Sequence, residues 1–252
     1  MVRGFDSFKR WFSGYESNYT IIGGTACDLI MTDMNQDFRA TKDIDIVLII
    51  EALSPEFGLR FWDYIKQAGY EHCNKSNGKP QFYRFTKPSS PDYPTIIELF
   101  SRKTDMITLP EDAVLTPIPL DEDVSSLSAI LLDDNYYEFL KAGKYVLNGV
   151  TILDAVHIIP FKMKAWLDLS ERKQNGESID SKNIRKHKND IFRLSELITA
   201  KTFIEVPSSI FQDIEDFIEQ MASEDLDSKS LGLRRGKTEM LQRIRDAYTI
   251  KK

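Results

Sequence analysis

Cysteine is scarce in this chain. Cys27 and Cys73 are the only two among 252 residues, and neither belongs to a C-x-x-C pair. Two thiols cannot build a disulfide framework, so both read as buried or idle thiols of a reducing compartment. Histidine is also rare, with three residues. His72 stands beside Cys73, but two residues do not make a zinc site, and His187 reads as exposed. No apolar run approaches the about 18 residues that a membrane span requires. The N-terminal stretch "MVRGFDSFKRWFSGYES" mixes charge with aromatics and lacks the apolar core of a signal peptide. A cytoplasmic protein without membrane contact is expected. Positive charge is not in excess either, because the net charge is -6. That excludes a chain coated in cations for nonspecific nucleic-acid binding, while leaving room for a local basic patch.

What is present suits a globular protein with a sizeable core: 42% hydrophobic and 29% charged residues. Phe5, Phe8, Trp11 and Phe12 share one face of a short helix over residues 4–15. "YTII" (19–22) reads as a strand, and "TACDLIM" as a helix with Ala26, Leu29 and Ile30 on one side. "DIDIVLII" (43–50) is a β-branched strand. "SPEFGLRFWDYIKQAG" (54–69) has the start and stop signals of a helix. "QFYRFTK" (81–87) and "TIIELF" (95–100) are strands joined by a Pro- and Ser-rich turn. A loop with paired acids occupies 110–123. "YYEFLKAGKYVLNGVTIL" (136–153) fits helix or strand, with "LNGVT" as a turn. Four helical patterns follow, beginning near 153, 181, 208 and 237. Trp62, Trp166 and the Phe-rich N-terminus are most simply core. The expectation is an α+β protein: a mixed β-sheet domain flanked by helices over 1–150, then an all-helical domain over 151–252.

Asp43 and Asp45 are two apart on a strand, so both carboxylates leave one face about 7 Å apart along the backbone. Ile44, Ile46 and Leu48 point the other way. Like charges aimed at one small volume repel, and a divalent cation relieves that. Oxygen-rich ligand sets suit Mg²⁺. A solvated strand face would give the same D-x-D, but Glu98 adds weight. It interrupts the otherwise apolar "TIIELF" and pays for desolvation unless it is exposed or bound. On a neighbouring strand it would complete a three-acid site suited to phosphoryl chemistry.

Gly23-Gly24-Thr25 joins the first strand to the next helix. Such a turn has no side chain to block a phosphate, and its free N–H groups attract an anion. Thr25 would cap the helix or donate its hydroxyl to a phosphate oxygen.

Together, "IIGGTACDLIM…DFRATKDIDIVLII…TIIELF" resembles the DNA polymerase β-like nucleotidyltransferase superfamily over residues 19 to 100. Its signature is GG or GS, a short helix, a D-x-D strand and a third acid on a later strand. Arg39 and Thr41 ahead of Asp43 look most like the AbiEii-type branch, which includes toxins of toxin–antitoxin systems. That branch carries a second motif, matched in part by Lys162, Ala165, Arg172 and Asp190, with Arg193 where a second Asp would stand.

The resemblance implies transfer of a nucleoside monophosphate from an NTP, with release of pyrophosphate. Asp43 and Asp45 would hold Mg²⁺, and Glu98 would complete a second metal site or act as base. Gly23, Gly24 and Thr25 would hold the β- and γ-phosphates. Arg39, Thr41, Lys162 and Asp190 are the further nucleotide-binding candidates. Lys162 and Lys164 lie about 200° apart on a helix, so only one can face a cleft. RNA is one acceptor class, with "KNIRKHK" (182–188) and "LRRGK" (233–237) as places for its backbone. An antitoxin protein is the implied partner. A small-molecule nucleotidyltransferase of the antibiotic-modifying kind, and an NTP-binding module without turnover, are the competing readings.

Overall fold

The computed structural model describes residues 2–72, 82–100, 130–131 and 133–251. Cys73 and the acidic loop at 110–123 lie outside them. Contacts divide the chain into two compact units. The first comprises the described residues of Met1–Leu120 with Lys144–Asp154, and the second those of Asp121–Gly143 with Ala155–Lys252.

The first unit is built on a seven-stranded sheet. Its strands are β1 (Tyr19–Ile22), β2 (Asp43–Leu48), β3 (Glu71–His72), β4 (Phe82–Thr86), β5 (Ile96–Phe100), β6 (Lys144–Leu147) and β7 (Val150–Leu153), in the spatial order β3-β4-β5-β2-β1-β7-β6. β2 is central, antiparallel to β1 and parallel to β5. Its position explains its composition: Ile44, Ile46, Val47 and Leu48 are all buried. Helices α1 (Phe5–Trp11), α2 (Gly23–Asp33) and α3 (Pro55–Ala68) belong to the same unit. Ser54 caps α3 by accepting the Phe57 N–H at 3.2 Å, and Gly69 closes it. Phe8 and Phe12 of the N-terminal segment pack on Tyr19 and Tyr64, with ring centroids 5.3–6.2 Å apart. That aromatic cluster ties the N-terminus to β1 and α3.

The stretch 136–153, ambiguous in sequence, is both helix and strand. Asp134–Ala142 forms helix α4, capped by Asp133, and β6 and β7 then form a hairpin. Asn148 and Gly149 turn it with φ of 51° and 82°, the left-handed pair that a two-residue hairpin loop requires.

The second unit contains α4 and four further helices: α5 (Ala155–Gln174), α6 (Ser181–Ser195), α7 (Ser208–Ser223) and α8 (Lys237–Ala247). It also holds two short strands. The helical pattern read to Ile250 stops at Ala247, and β9 (Tyr248–Ile250) pairs in parallel with β8 (Ile204–Val206). Trp166 is core, as expected, and meets Phe217 edge-on at 5.3 Å.

Candidate functional site

Strand register assembles the acids. Asp45 lies directly across from Glu98 on β5, and across from Ile22, the last residue of β1, on the other side. One carboxylate oxygen from each of Asp43, Asp45 and Glu98 falls within 4.8 Å of the others. Asp45 is 8% and Glu98 4% exposed. Two of the three are buried, and an all-oxygen donor set fits a hard divalent ion. Asp43, Asp45 and Glu98 are the residues that would hold it.

The diglycine follows Ile22, so the sheet delivers it beside Asp45. Gly23 has φ of 66°, and a Cβ there would fall 1.8 Å from Asp45 Oδ2. Any side chain at this position would collide with the carboxylate. A Cβ on Gly24 would lie 2.9 Å from Thr41 Oγ1 and 3.3 Å from the Arg39 guanidinium. Arg39 and Thr41 therefore flank the diglycine. Thr41 Oγ1 also donates to Asp43 Oδ1 at 2.9 Å, which orients that carboxylate.

Thr25 has another duty than the two expected of it. Helix α2 has no side-chain cap, and the Thr25 hydroxyl donates to the Asp43 carbonyl at 2.5 Å. The bond fastens α2 to the start of β2. Cys27 Sγ reaches the Gly23 carbonyl at 2.9 Å, one turn along the same helix.

Lys162 and Asp190 belong to the second unit, where they meet each other. Lys162 Nζ donates to Asp190 Oδ2 at 2.8 Å, with side-chain exposures of 6% and 0%. The pair links α5 to α6 as a buried charge-assisted bond. Lys164 leaves the same helix elsewhere and pairs with Asp213 of α7 at 2.7 Å. Arg172 binds Glu177 at 2.9 Å. The ring nitrogens of His187 are buried, against the expectation of an exposed imidazole.

Sequence reasoning missed Arg84. It lies on β4 opposite Glu98, and its Nε and Nη2 reach the same Glu98 Oε1 at 2.7 and 2.5 Å. The signal that singled out Glu98 was available here too, as a charge inside the aromatic run "FYRF". Arg84 is the fixed cation of the acid cluster. Burial pushes the Glu98 carboxyl above the usual carboxylate range. A hydrogen bond with Asp45 and the Arg84 guanidinium pull it back, and the charge of Asp43 pushes it up again.

No family model matches the chain, and no curated protein does. Among solved structures it is similar to an antigenic nucleotidyltransferase-like protein from Paracoccidioides brasiliensis, at 16% identity and a TM-score of 0.41. The match covers 96% of this chain and 99% of that one. The site's geometry, not that distant likeness, carries the reading that follows.

Two outcomes are expected. Arg84→Met leaves Glu98 buried without its cation and costs roughly 2–4 kcal/mol of unfolding free energy, while adding Glu98→Gln recovers much of that loss. Denaturant unfolding of the two single variants and the double variant measures the coupling, and additive losses would contradict the pairing. Glu98 holds its proton to higher pH than a free glutamate, and a cation binds only the ionised form. Divalent-cation affinity therefore rises with pH through that titration and levels off above it. Calorimetry from acidic to neutral pH reads this directly, and a flat profile would refute it.

Proposed function

We propose that the protein is a divalent-cation-dependent nucleotidyltransferase, using Mg²⁺ to move a nucleoside monophosphate from an NTP to an acceptor hydroxyl. One observation carries this reading: Asp43, Asp45 and Glu98 converge within 4.8 Å beside a diglycine whose first residue has no room for a side chain. Clustered carboxylates alone suit many cations, and a bare turn alone suits many anions. Side by side they suit a metal–triphosphate.

In this reading the chain's own residues orient and exclude. Asp43, held by Thr41, and Asp45, roofed by Gly23, present oxygens to the cation. The amides of Gly23 and Gly24 accept the terminal phosphates, with Arg39 beside them as a second anion contact. A bound Mg²⁺ supplies neutralisation of the charge that builds on the α-phosphoryl group and the leaving pyrophosphate. Glu98 joins the two aspartates from the adjacent strand β5. Arg84 holds it, which favours a fixed ligand or a positioned proton acceptor over a mobile carboxylate.

The AbiEii-type version of this proposal gives Lys162 and Asp190 a nucleotide-binding role, and adds an RNA acceptor, an antitoxin partner and a cytoplasmic setting. No helix among the described residues is long and apolar enough to cross a membrane. A second reading, an NTP-binding module without turnover, draws on the engagement of Glu98 by Arg84.

The test is label transfer from an NTP labelled in its α-phosphate to RNA, protein and aminoglycoside acceptors. Asp45→Asn should keep the fold and lose at least about a hundredfold in transfer, the scale of several kcal/mol of lost charge stabilisation. Undiminished transfer in Asp45→Asn would remove the metal assignment. NTP binding without transfer to any acceptor would favour the module.

A further inference from the structure

The second unit holds a cleft that the acidic site does not use. It lies between α5, α6 and α7 and has a volume of about 620 Å³. Lys173, Arg185 and Lys188 line it, against a single carboxylate, Glu224. In a chain of net charge -6 this is a local reversal of sign.

The three cations are held differently. Lys188 Nζ is anchored on Glu224 at 3.1 Å and on the Asp225 carbonyl at 2.9 Å. Among the described residues Lys173 Nζ bonds a neutral partner, the Ser181 hydroxyl at the start of α6. Arg185 is exposed and forms no ion pair among the described residues. The cleft thus keeps two positive charges that form no ion pair with a carboxylate among the described residues. Trp166 also lines it. That residue is 4% exposed, and its indole N–H is buried without a hydrogen-bond acceptor. Native structures leave few buried donors unsatisfied, and each calls for an explanation. Two such cations opening onto the same cleft as Trp166 describe a place suited to an anion.

We propose that this cleft is a binding site for a phosphate group, taken by Arg185 and Lys173 with Lys188 held in place behind them. Arginine offers a planar fork that matches phosphate oxygens two at a time, and lysine adds a point charge. The site is distinct in its residues from the acid cluster and does not depend on the transferase reading. Its phosphate comes either from a small molecule or from a nucleic-acid backbone, since "KNIRKHK" continues the basic surface along α6.

The experiment follows the Trp166 indole N–H resonance in the isotope-labelled full chain, assigned with Trp166→Phe. Inorganic phosphate is titrated in one arm and a single-stranded oligonucleotide in the other. A saturable shift of that resonance is expected. Lys173→Gln combined with Arg185→Gln should weaken the apparent affinity at least about tenfold, the loss expected from removing charge-assisted bonds, with an unchanged circular dichroism spectrum. A shift with both ligands supports a general phosphate site. A shift with the oligonucleotide alone, weakening steeply with salt, supports it with the backbone as the source. Absence of a shift in both arms, or equal affinity in the double variant, overturns the proposal.

Discussion

Mutual repulsion among three carboxylates is the constraint from which the first unit's design follows. Asp43, Asp45 and Glu98 place oxygens within 4.8 Å of one another, and two of the three residues are buried. Charge held so closely away from water must be compensated. Arg84 offsets one unit of it from β4. Thr41 and the Lys42 amide offer hydrogen bonds to Asp43. Asp45 stands against the bare glycine turn, where a Cβ on Gly23 would meet its carboxylate. In the function proposed, a divalent cation bound with a triphosphate answers these clustered carboxylates.

The sheet exists in the form that this cluster requires. β2 must be central, because Asp45 needs Ile22 and the diglycine on one side and Glu98 on the other. The parallel β2–β5 pairing and the antiparallel β4–β5 pairing then put Asp45, Glu98 and Arg84 in one row across three strands. Cross-strand neighbours share a face, so the row sets two carboxylates side by side with a guanidinium at its end. Thr25 fastens α2 to the Asp43 carbonyl, which couples the diglycine turn to the acid-bearing strand. The charges are carried on regular elements, which hold their geometry better than loops do.

Much of this was legible before any coordinates. The period of two in "DIDI" assigns both aspartates to one face, and Glu98 stands out as a charge among Ile96, Ile97, Leu99 and Phe100. Register was not legible, because β2 and β5 are far apart in sequence and local pattern carries no pairing information. Arg84 was missed for that reason: its meaning depends on lying opposite Glu98. Thr25 reads as a cap from its position, yet a backbone carbonyl 18 residues away accepts its hydroxyl hydrogen bond. Lys162 reads as a ligand or a solvated lysine until Asp190, from the next helix, is seen to bury with it. "YTI" at 248–250 repeats the aromatic and β-branched composition of "YTII" at 19–22. The preceding helical periodicity masked it, and the partner strand Ile204–Val206 decided the outcome.

The most direct measurement is a crystal soaked in Mn²⁺ with a non-hydrolysable NTP, read by anomalous scattering. The account predicts a peak bound by the carboxylates of Asp43 and Asp45, with Glu98 next to it and the triphosphate against Gly23 and Gly24. An empty acid cluster, or the triphosphate bound away from the diglycine, would contradict it.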